Sequence, residues 1–174
     1  MRPEPRSSGA IDEEALRREF RALQDLHQPP LPALARRLGW AGLLPFAAAL
    51  AAWAWGLVQQ QPDVVVPAQQ AFLVYSAVIL SFLGGVRWGR VMSAGTPPAG
   101  YVLAVLPSLW AFPALFLPPP HAVAALGCGF ALALWFDTRA DTLPATPGFR
   151  RLRLHLSLAV IAAHLLALPL AWRS

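Results

Sequence analysis

Five stretches of this chain are apolar and almost free of charge, and no other feature limits its possible folds so severely. They are Trp40–Val58, Gln70–Trp88, Tyr101–Leu117, Pro120–Phe136 and Leu154–Trp172. A bilayer core of about 30 Å is crossed by on the order of 20 helical residues. The first, second and last stretches meet that length. The third and fourth are shorter, and read either as two full spans or as a hairpin that enters and leaves on one side. In lipid every backbone polar group must be satisfied within the segment, which favours helices. The expected fold is therefore an all-α integral membrane protein. About five transmembrane helices form a bundle over 38–174, preceded by an arm over 1–37.

Composition agrees. Hydrophobic residues make up 56% of the chain and charged residues 13%, where soluble domains run near a quarter charged. A soluble chain of 174 residues could not hide so much apolar surface. All 14 basic residues are arginine, a coding bias typical of GC-rich bacterial genomes. The net charge of +5 is explained by where the arginines stand rather than by nucleic acid, which is not an expected partner. Arg2 and Arg6 are followed by Asp12, Glu13 and Glu14 instead of an apolar run, so the start is not a secretory signal. Insertion is expected to rely on the first span itself.

Within the arm, Ile11 to His27 has helical periodicity, with Ile11, Ala15, Phe20, Leu23 and Leu26 near one face. Acids in its first turn suit the helix dipole. An amphipathic helix on the cytoplasmic membrane surface is expected, ended by Gln28–Pro32. Orientation follows from the arginines. Thirteen of the 14 lie on one side of the expected bundle, before the first span, just after the second and between the fourth and fifth; only Arg173 lies on the other. The positive-inside rule then puts the N-terminus in the cytoplasm and the C-terminus in the periplasm of a bacterial inner (plasma) membrane. Trp40, Trp88 and Trp135 fall at the inner interface, and Trp53, Trp55 and Trp172 at the outer.

Residues that could carry chemistry are few. Ala77, Ser81, Gly85 and Gly89 recur every four residues and, with Gly84, form a small-residue stripe suited to close helix packing. Arg87 lies near the inner end of the second span. It either snorkels to water or pairs with Asp137, which follows the fourth span at the same depth; that end is also a candidate site for an anionic head group or solute. Pro107 and Pro113, with Ser108 between them, leave carbonyls without donors and mark an expected break in the third span. Cys128 reads as a small core residue, and the lone cysteine excludes an internal disulfide. His155 and His164 are nine residues apart and point to opposite helix faces, so no metal or haem site is expected. No nucleophile elbow, P-loop, dinucleotide fingerprint or intramembrane carboxylate pair is present. No cofactor and no enzymatic activity are expected.

Several segments resemble the family of transmembrane protein 69, the domain of unknown function 3429. They are LGWAGLLPF (38–46), YSAVILSFLGGVRWG (75–89), LPSLWAF (106–112), Phe136–Asp137 and PGFRRLRLHLSL (147–158). The resemblance implies a small polytopic protein of bacterial inner membranes with mitochondrial relatives, and brings no activity. The expected role is non-enzymatic packing or assembly, with the bilayer and a membrane protein as partners. The alternative is a small transporter or a solute- or lipid-binding protein that uses the third span and the Arg87/Asp137 end.

Overall fold

A computed structural model describes residues 31–94, 99–139 and 147–174, together with 14–16 and 19. The amphipathic helix expected over Ile11–His27 lies outside the described residues, apart from Glu14, Ala15, Leu16 and Glu19, which are helical and exposed. Six further helices follow: α1 (Ala33–Ala41), α2 (Leu44–Val58), α3 (Pro62–Ala94), α4 (Ala99–Ala114), α5 (Pro119–Arg139) and α6 (Pro147–Ala171). Strands are absent among the described residues.

Helices α1 and α2 are one apolar segment with a jog. Pro45, near the start of α2, has no N–H to offer the carbonyl of Ala41, so the ladder is interrupted at Gly42 and Leu43. The Gly42 N–H still bonds the Leu38 carbonyl at 3.0 Å. The Tyr75 hydroxyl of α3 donates to the Gly42 carbonyl at 3.0 Å and pins the jog to its neighbour. The turn into α3 ends α2 with paired bonds from Gln61 N to Gly56 O (2.8 Å) and Gln60 N to Leu57 O (3.3 Å). That motif needs a left-handed residue, usually glycine, and here Gln60 takes it at φ 54°.

Helix α3 opens on Pro62 with Asp63 in its first turn, both suited to a helix start. Its 33 residues span about 50 Å, well beyond a bilayer core. It is the bundle's axis, packed against α2, α4 and α5, while α6 packs on α5, α2 and α1. Proline also opens α5 and α6, where its missing donor costs nothing. Ala33–Val58, Pro62–Ser93, Pro119–Thr138 and Gly148–Ala171 are each long and apolar enough to cross a membrane; Ala99–Ala114 is apolar but shorter. At the end of the bundle away from the arginines His121, near the start of α5, stacks 6.2 Å from Trp172, which follows α6. Helix α5 therefore runs from this end of the bundle to the arginine end.

The core is aromatic. Phe46 (α2), Phe72 (α3) and Phe130 (α5) surround His164 of α6 at ring distances of 6.1, 4.9 and 5.3 Å. The His164 Nδ1–H donates to the Val160 carbonyl at 2.8 Å. Trp53 is fully buried beside Phe72, so it belongs to this core and not to the outer aromatic belt expected for it. Its ring faces inward because α2 turns that side onto α3. Cys128 is exposed on the outer side of α5, not in the core as expected. Leu44, Phe82, Phe112, Phe116 and Leu165 are among many large side chains on the exterior. An apolar exterior around a core of helices is the arrangement of a multi-pass membrane protein.

Candidate functional site

Near the end of the bundle where α3 and α5 finish and α6 begins, one carboxylate gathers three arginines. Asp137 is 4% exposed and Arg87 8%. Asp137 Oδ1 lies 3.5 Å from Arg87 Nη2 and 3.7 Å from Arg90 Nη2. Its Oδ2 accepts from Arg153 Nη2 at 2.7 Å and from Nε at 3.1 Å. One oxygen thus faces α3 and the other α6, and a single side chain of α5 ties three helices together. The Arg87 guanidinium also lies 5.8 Å from the centre of the Phe136 ring, within cation–π range.

The pairing of Arg87 with Asp137 anticipated from depth is present. Arg90 and Arg153 were read only as markers of orientation, and both belong to the site. Arg90 could have been found from its spacing, since i and i+3 share a helix face. Arg153 carries no such signal, because its approach depends on how α6 packs.

The small residues of α3 divide. Steps of four advance about 400°, so each drifts about 40° from the last and the stripe winds off any one face. The face turned inward follows Leu73, Ala77, Leu80, Gly84, Arg87 and Val91 instead, at alternating steps of three and four. Gly84 takes the close approach: a methyl group there would collide with the Ala104 carbonyl oxygen of α4. Ser81 is half-buried, and at Gly85 and Gly89 a methyl group would meet nothing within 4 Å among the described residues. The break expected at Pro107, Ser108 and Pro113 is corrected, because α4 runs unbroken from Ala99 to Ala114. Proline's fixed φ is itself helical, and Pro113 stands one residue from the helix end. Ser108 is half-buried in the same continuous helix.

Two apolar grooves reach the arginines. One, of about 280 Å³ between α4 and α5, has Arg87 as the only charged residue of its described lining, with Pro107, Trp110 and Phe136. Trp110 donates its indole N–H to the Ala125 carbonyl across it at 2.7 Å. The other, of about 380 Å³, lies between α3 and α6 beside α1, with Arg90 and Arg153 in its lining. Among the described residues no cluster of three His, Cys, Asp or Glu could hold a metal ion. His155 bonds its own helix at the Arg151 carbonyl, 2.7 Å away.

All four charged side chains, and the helices that carry them, lie within 31–169, the segment that matches the family model described as protein of unknown function (DUF3429). The chain belongs to the DUF3429 family. Transmembrane protein 69 of Xenopus tropicalis is 34% identical over 155 residues, covering 84% of this chain. The chain spans about half, 56%, of that relative's length. No solved structure matches it. For this member of the DUF3429 family, what the site can do chemically follows from its charges alone. With both Asp137 oxygens engaged by guanidinium groups, the cluster sets three positive charges around one negative charge.

Proposed function

We propose that this protein is a non-enzymatic, multi-pass component of a bacterial inner membrane that works by packing against another membrane protein and assisting its assembly. The observation that carries the reading is the open notch at Gly85 and Gly89 on α3. Close backbone approach is a main source of helix association in lipid, and among the described residues these glycines have no packing partner. The partner helix would present small residues of its own. The arginine-bearing end faces the cytoplasm in this reading, with the C-terminus in the periplasm.

The test is cross-linking in cells from Gly85→Cys and Gly89→Cys, with co-purification in mild detergent. One membrane protein should be captured from both positions and lost from Gly85→Leu while the unfolding midpoint holds. A chain that meets only lipid at both positions would sink the reading. Reporter fusions after Ser174 should read periplasmic, and fusions within 140–149 cytoplasmic; the reverse would overturn the orientation. A second reading, ligand binding at the arginine end, is favoured by the two grooves that finish on arginine.

A further inference from the structure

The larger groove has a graded lining. Leu38 of α1, Leu83 and Val86 of α3, and Leu156 and Val160 of α6 make its walls, over a floor that includes Phe130. Among the described lining residues, charge occurs only at one end, at Arg90 and Arg153. Along α3 the lining runs from Arg90 back to Ile79, a length of about 16 Å at 1.5 Å per residue. That is about half of a 30 Å bilayer core, the depth of one leaflet. An occupant must therefore be apolar through one leaflet and charged where the leaflet meets water.

The sign of that charge follows from the cluster. Three guanidinium groups surround one carboxylate, leaving two positive charges in excess among these four side chains. Guanidinium presents a planar fork of donors that fits phosphate oxygens. Basic pockets between transmembrane helices suit anionic head groups. We propose that this groove holds one anionic phospholipid, with its phosphate on Arg90 and Arg153 and one acyl chain against Leu83 and Leu156. A zwitterionic lipid brings its own cation toward arginines already in excess, and free phosphate leaves the apolar length unfilled.

Native mass spectrometry of the full chain in neutral detergent tests the assignment, using phosphatidylglycerol and phosphatidylcholine with identical acyl chains. Phosphatidylglycerol should bind on the order of tenfold more tightly. Arg90→Gln should remove most of that preference in protein that still unfolds cooperatively. Val86→Trp, which fills the groove and keeps every arginine, should weaken both lipids. Millimolar inorganic phosphate should not displace phosphatidylglycerol; displacement would mark a free-anion site and overturn the proposal. Equal binding of the two lipids would overturn it, as would a lipid preference untouched by Arg90→Gln or affinity untouched by Val86→Trp. Should either variant misfold, the unaltered protein still decides. A photoreactive phosphatidylglycerol labelled in the acyl chain should mark Leu156 or Ser157, and labelling confined to other helices would refute the site. The proposal is separate from the partner-helix reading: losing the lipid leaves the Gly85→Cys cross-link in place, and losing the cross-link leaves lipid selectivity intact.

Discussion

The two ends of this bundle are held by different physics. At one, Asp137 joins α3, α5 and α6 through three arginines, with Asp137 and Arg87 buried and Arg90 and Arg153 partly so. At the other, the described contacts are hydrogen bonds and ring packing. Gln69 Nε2 donates to Ser174 Oγ at 3.1 Å, His121 stacks on Trp172, and the turn at Gln60 closes on its own backbone. Charge interactions that are buried are steep, because losing one partner strands the others in a poor solvent for ions. Neutral contacts are shallow, and each can be lost alone. The arginine end should therefore behave as one unit and the far end as a sum of small parts.

The strongest way to break that contrast is Asp137→Ala. It leaves three arginines facing one another and should cost about 3–5 kcal/mol, read as a lowered midpoint in denaturant titration of the purified protein. A loss below about 1 kcal/mol would show that the arginines simply swing out to water, and the two ends would then be alike. Next comes Gly84→Ala, which drives a methyl group into the Ala104 carbonyl and should cost about 1–3 kcal/mol. Gly85→Ala, one residue on, meets open space and should be neutral or gain up to about 1 kcal/mol from helix propensity. Thermal unfolding of the pair separates the packed face of α3 from its open one. At the far end Gln69→Ala removes one neutral hydrogen bond and should cost about 1 kcal/mol, with no effect on cross-links between α3 and α6 at the arginine end. The smallest change is a gain: Gln60→Gly relieves a left-handed non-glycine residue and should raise the midpoint by about 1 kcal/mol or less.

These expectations also mark what could be read before the fold was known. Apolar length and the absence of charge gave the helices, because lipid allows the backbone little else. Arg87 and Asp137 were legible as a pair because depth alone brings them level. Gly84 and Gly85 were not separable in sequence. Which of two adjacent glycines faces a neighbour depends on a rotation of about 100°, and that is set by α4 rather than by α3. Trp53 was misplaced for the same reason: a tryptophan near a span's end fits the belt or the core, and only the packing of α2 on α3 chooses. Arg153 looked like a loop charge because it stands just inside a helix whose partner lies 16 residues earlier. Prolines in α4 predicted a break that continuous packing against α3 and α5 removes.

The position of Arg153 also bears on the order in which the molecule is made. The chain grows from its N-terminus, so Arg87, Arg90 and then Asp137 are synthesised before Arg153. Until α6 is inserted, Asp137 lacks the partner that holds it through two donors, and the α3–α5 pair waits at that end with one carboxylate oxygen unclaimed. Arrival of α6 supplies the missing donors and closes the aromatic cage with His164 in the same movement. The tightest contact of the carboxylate therefore cannot form until α6 has been made.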